Sequence, residues 1–150
     1  MAQTTSAINA CDAVIKLDNG AGNLADISGS SNSITLNRLT QVSDAFYSFG
    51  GRFPIRKACG KDADITLRVV YSGDDAEALY ILNDWYENHN TDARSLRVEI
   101  PDGDPGGDRY DFEVLLGTLN MDATSGEPNP ILVEASLRPT GTFTWSVIGS

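Results

Sequence analysis

Ser72 to Asn88, SGDDAEALYILNDWYEN, is the stretch that most limits how the chain can fold, because only here do apolar residues recur at helical spacing. At about 100° per residue, Ala78, Leu79, Ile81, Leu82, Trp85 and Tyr86 share one broad face, with Glu77, Asp84 and Glu87 opposite. Ser72 and Asp75 stand at capping-box spacing, and Asp74, Asp75 and Glu77 fall where a helix dipole favours negative charge. The spacing predicts a helix over about 73–87. Its apolar face needs a partner layer, and nearly all the remaining apolar residues alternate with the period of a strand. The chain is therefore expected to be mainly β, an antiparallel β-sandwich or barrel with one flanking helix, in a single domain over 1–150.

Strands are expected at Ala13–Leu17, at Ser33–Leu39 around Ile34 and Leu36, and at Ala63–Tyr71 through Ile65, Leu67 and Val69. Between the first two lies the turn-rich DNGAGNLADISGSS. SLRVEI and RYDFEVLLGTLNM alternate on either side of PDGDPGGD and predict a hairpin. ILVEASLRP and TFTWSVI predict a second hairpin, turning at Pro139, Thr140 and Gly141. The residues from Thr40 to Pro54 fit no buried strand. They carry Phe46, Tyr47, Phe49 and Phe53 around Gly50 and Gly51, and are expected to form an arm or long hairpin that needs another surface.

Charge narrows the function. The 150 residues hold 21 acids against 11 bases, a formal net charge of −10, which opposes a grip on phosphates or on an acidic membrane. No apolar run reaches the roughly 18 residues of a membrane span, and 1–14 lacks the basic and apolar regions of a secretory signal. Cys11 and Cys59 are expected to be reduced, buried thiols, with a disulfide between them as the alternative.

Catalytic and metal signatures are weak. His89, the single histidine, falls in a polar loop with no elbow motif to supply a nucleophile. Gly20, Gly22 and Ala25 match G-x-G-x-x-A, but no helix can start there before Gly29, so the match is a turn. Asp102, Asp104, Gly107, Asp108 and Glu113 occupy calcium-loop positions. Gly106, Arg109 and the flanking strands instead favour an acidic hairpin turn. No catalytic residue, cofactor or metal is assigned.

The bases are unevenly placed. Arg52, Arg56, Lys57 and Lys61 lie beside the aromatic arm, while acids crowd Asp74–Glu87 and Asp102–Glu113. A basic, aromatic edge on an acidic body suits head-to-tail contact with copies of itself, and a solvated charge run is the alternative. The candidate inter-subunit residues are Phe46, Tyr47, Phe49, Gly50, Gly51, Arg52, Phe53, Arg56 and Lys57.

The order of these parts resembles a phage major tail tube protein of the long non-contractile kind. The resemblance covers most of the chain: VIKLD leading into LADISGSSNSITL, the YSFGG of the arm, ADITLRVVYSGDDAEALYILNDWYE, and the closing ILVEASLRPTGTFTW. It implies a β-sandwich subunit of hexameric rings, stacked into a tube around a tape-measure protein and later conducting DNA. By the same resemblance, Thr40–Pro54 and residues 1–10 are expected to bridge subunits; the sequence departs from the family in that no appended second domain is expected. The location implied is the virion tail, after assembly in the host cytoplasm. A conduit should repel phosphate, so outward-pointing strand acids, Glu99, Asp111, Glu113 and Glu134, are the candidate lumen residues. The alternatives are a non-enzymatic sandwich that binds a glycan or receptor, a tail terminator, and the inner tube of a contractile machine.

Overall fold

The computed structural model describes residues 13–71, 78–101, 107–122 and 131–148. They form eight strands and one α-helix: β1 Val14–Asp18, β2 Leu24–Asp26, β3 Ser31–Val42, β4 Ala58–Val70, α1 Ala78–His89, β5 Arg94–Pro101, β6 Gly107–Asp122, β7 Leu132–Pro139 and β8 Thr144–Val147. All pairings are antiparallel, in the order β2-β1-β5-β6-β7-β4-β3, with β8 added on β6. The mainly β architecture with one flanking helix is the one the alternation predicts.

β6 holds the sheet together. Its first half pairs with β5, from Arg94↔Val114 to Pro101↔Gly107. Its second half pairs with β7, from Val114↔Pro139 to Asp122↔Leu132, with a register shift at Gly117. Such a shift bends a strand and raises its twist, which lets one long strand serve two parts of a sandwich.

β4 shows the alternation most clearly, with Ala63, Ile65, Leu67 and Val69 fully buried. They meet Leu17, Leu96, Phe112, Val114, Val133, Ala135 and Leu137 in a core closed by Leu79, Leu82 and Trp85 of the helix. Each such side chain contributes about 1.5–3 kcal/mol on burial. The helix lies against β4 and β6, so the other face of those strands is polar and open to solvent. Buried Ser30 ties the helix down, its hydroxyl accepting the Ala78 N–H at 3.0 Å and donating to Ile27 O at 3.3 Å.

Several expectations need correction. The closing hairpin does not form. β7 pairs with β4 and β6, and β8 pairs with β6, so the two run in succession along one edge of β6. The 18–31 turn region contains a short strand, β2, and a 3-10 turn at Ser28–Ser30. Tyr86 lies on the shoulder of the helix, half exposed, because the core ends at Trp85. His89 is the last helical residue instead of a loop residue, 3.5 Å from Asp92. Cys59 is exposed, on the outer part of the β3–β4 ribbon. The helix start with Ser72, residues 1–10, Cys11, and Asp102, Asp104 and Gly106 lie outside the described residues.

Candidate assembly surface

β3 and β4 pair along their whole lengths, but only their inner halves reach the core. Beyond Arg38↔Ala63 the ribbon leaves the body. Past the strand ends, Ser43 N–H donates to Lys57 O at 2.8 Å, and Phe46 and Ile55 exchange both backbone hydrogen bonds, at 3.1 and 2.8 Å. The arm is thus a hydrogen-bonded ribbon whose irregular part runs over 43–57, shifted three residues from the expected 40–54 because Thr40, Gln41 and Val42 belong to β3. At its tip Gly50 sits at φ +79, a left-handed conformation that a side chain would strain.

The arm's aromatics stay outside the core. Phe46 is 53% exposed, Tyr47 64%, Phe53 82% and Phe49 wholly exposed. Gly51, Arg52, Arg56 and Lys57 are exposed beside them. Exposed aromatics grouped in this way on a paired ribbon make the arm the candidate contact surface.

The eleven bases of the chain fall into three groups. Lys16, Arg68, Arg97, Arg109 and Arg138 lie on the open strand face, each in an ion pair. Arg38 and Arg94 stack on aromatic rings, 5.3 Å from the Tyr110 centroid and 5.2 Å from that of Trp85. The remaining four, Arg52, Arg56, Lys57 and Lys61, are the arm's bases, and among the described residues none forms an ion pair.

The four candidate lumen acids also lie on the open strand face. Asp111 pairs with Arg97 at 2.7 Å and Glu134 with Arg68 at 3.1 Å. Glu99 lies 3.4 Å from Lys16 and 3.8 Å from Arg109. Glu113, at the end of the face, accepts the Ser95 hydroxyl. Alternation places these acids outward, but their basic partners depend on strand register, which the sequence does not display. The Arg97↔Asp111 and Arg68↔Glu134 cross-strand pairs are the signal a known register would have supplied.

Two clefts flank the break between β7 and β8 and share Phe112 and Thr144. One, of about 310 Å³, is walled by Asp18, Leu24, Arg97, Glu113 and Thr142. The other, of about 430 Å³, lies at the root of the arm between Leu39, Lys61, Tyr110, Phe143 and Trp145. Trp145 is 62% exposed and donates its Nε1–H to Asp108 at 2.9 Å. No sequence motif singles out either cleft. Among the described residues, no group of three or more His, Cys, Asp or Glu is placed to hold a metal ion.

No protein-family model and no curated protein matches the sequence. Solved structures do match the fold. A chain of the six-fold symmetrised anti-feeding prophage baseplate superposes with a TM-score of 0.72 at 13% identity, covering 100% of both chains. A chain from the C6-symmetric tail of an empty gene transfer agent particle gives 0.68 at 16% identity, over 94% of this chain and 100% of that one. The SPP1 tail tube gives 0.69 at 10% identity, over 94% of this chain and 80% of that one. From end to end, the chain shares its fold with subunits of phage-like tails and injection systems.

Proposed function

We propose that this protein is the repeating structural subunit of a phage-like tail tube of the long non-contractile kind, assembling in hexameric rings that stack end to end. The observation that carries this reading is the arm: a paired ribbon with four exposed aromatics and four bases that have no ion-pair partner among the described residues, on a body whose other bases are all paired or stacked. A ribbon built this way completes its burial in a neighbour. The full-length fold match to tail and tube chains supports the same reading, and the six-fold symmetry of two of those assemblies supports six copies per ring.

In this role the protein is a structural component of the virion tail, built in the host cytoplasm around a tape-measure protein. The open strand face, with Glu99, Asp111 and Glu134 along it, lines the channel, and Glu113, at the end of that face, stands at the rim where copies meet. Among the described residues each of the five bases on that face has an acid within 3.8 Å, so a passing duplex meets little uncompensated positive charge to release counterions against. DNA slides through without specific binding, and no chemistry is performed.

Negative-stain microscopy of the purified protein over a concentration series tests the proposal. Rings or tubes of uniform width are the expected result, and a particle that stays monomeric at the highest concentration opposes it.

A further inference from the structure

We infer that the arm of one copy seats in the paired clefts beside the β7–β8 break of another copy, with Arg52 and Arg56 meeting Asp18 and Glu113 and Phe53 entering the apolar side. The inference rests on the self-assembling reading above and names the surface that receives the arm.

Reach excludes the arm's own body as the occupant. The apolar cleft is walled by the root of the arm itself, at Leu39, Thr40, Lys61 and Asp62. From there the ribbon runs outward past Phe46 and Ile55, roughly 25 Å at strand rise. Backbone pairing at Ser43/Lys57 and Phe46/Ile55 keeps it extended, so its tip cannot return to its own root.

Charge selects the seat. The arm from 43 to 61 carries four bases and one acid, Asp44, on a chain of net charge −10. In the smaller cleft Asp18 and Glu113 both lack an ion-pair partner among the described residues, while the only base in the wall, Arg97, is held by Asp111. The two clefts meet at Phe112 and Thr144, so one seat offers acids on one side and Tyr110, Phe143 and Trp145 on the other, where Arg38 is stacked on Tyr110 and Lys61 stands at the far wall beside Asp62. That matches an arm in which Phe53 stands between Arg52 and Arg56. Because the seat adjoins the root of the receiving arm, each docking event leaves the next arm free, and the contact propagates head to tail.

Charge exchange tests the pairing. Arg52→Glu with Arg56→Glu, and separately Glu113→Lys, should each raise the concentration needed for assembly about tenfold or more, read by pelleting and microscopy. All three substitutions in one chain should restore assembly to within a few-fold of the parent. Thr142→Lys, on the exposed opposite wall of the seat, is a second seat variant and should also weaken assembly. Melting curves confirm that each variant is folded. If the parent forms tubes but the combined variant does no better than the arm variant alone, the arm seats elsewhere and only this inference falls. A Glu113→Lys variant that assembles like the parent has the same meaning. A parent that never assembles overturns both this inference and the tube reading beneath it.

Discussion

The guanidinium of Arg94 lies over the Trp85 ring, 5.2 Å from its centroid, and only 3% of Arg94 is exposed. From there Nη1 donates to Asp18 O at 3.4 Å and Nη2 approaches Asp84 at 3.8 Å, so one cation joins the β1–β2 turn to the middle of the helix. Arg94→Ala should destabilise the fold by about 2–3 kcal/mol, through lost packing on Trp85 and a carbonyl left without its donor. Arg94→Lys should recover little, since an ammonium cannot spread over the ring as a guanidinium does. A lower urea midpoint at unchanged slope is the expected observation.

Gly20 belongs to the same unit. It sits at φ +86, and a Cβ there would stand 2.8 Å from Arg94 Nη2. Gly20→Ala should cost about 1–2 kcal/mol from the left-handed backbone alone, and more from the displaced guanidinium. In an Arg94→Ala background the second part disappears. The two substitutions should therefore be less than additive, which a double-mutant cycle in urea would show.

Ser30 makes a second link between distant parts of the chain. Its buried hydroxyl accepts the Ala78 N–H, which belongs to the first described turn of the helix. Ser30→Ala should cost about 1 kcal/mol, in the range of a lost helix cap. It should also speed amide exchange at Ala78 more than at Trp85, separating loss of the cap from general loosening of the core.

How far the sequence foretells this structure depends on which forces act locally. The helix is legible because Leu79, Ile81, Leu82 and Trp85 repeat at its own period, and β4 because Ile65, Leu67 and Val69 repeat at two. The arm is legible because its aromatics stand among glycines that no core strand would keep. The partners of β7 and β8 are not legible. Adjacent alternating segments usually form a hairpin, yet the 16-residue β6 is long enough to take both along one edge. β2, with three residues, has too few positions to show a period. Within the candidate site, outward acids such as Asp111 follow from alternation, whereas the bond from Arg97 to Asp111 follows from register, a tertiary property.

Asp26 supplies a pH dependence with a definite sign. The Ser28 hydroxyl, and then the Ser28 N–H that donates to Oδ1 at 2.9 Å, hold its carboxyl below the ordinary value of 3.8. A carboxylate lowered on folding adds stability above its unfolded pKa and loses it as pH falls through the folded one. The parent should thus be slightly more stable than Asp26→Asn near neutrality, and the difference should close below about pH 4. Because the group is exposed, added salt should shrink the difference throughout. Paired thermal melts across pH would show it.

Removing Ala45–Gly51 separates folding from assembly. These residues include Phe46, Tyr47 and Phe49, none of which belongs to the buried core or packs against it. The core strands are paired by Ile34↔Leu67 and Leu36↔Ile65, well inside the deleted tip. The shortened protein should therefore melt within about 3 °C of the parent and sediment as a monomer. Mixed with the parent, it should still receive an arm, while its own Arg52, Phe53 and Arg56, drawn back toward the strand ends, no longer reach a seat, so each copy that joins ends a growing chain of head-to-tail contacts. Substoichiometric amounts should accordingly shorten tubes out of proportion to their share of the protein, as measured by tube length in micrographs. Early melting or binding of a hydrophobic dye would instead mean that the aromatics stabilise the subunit's own fold.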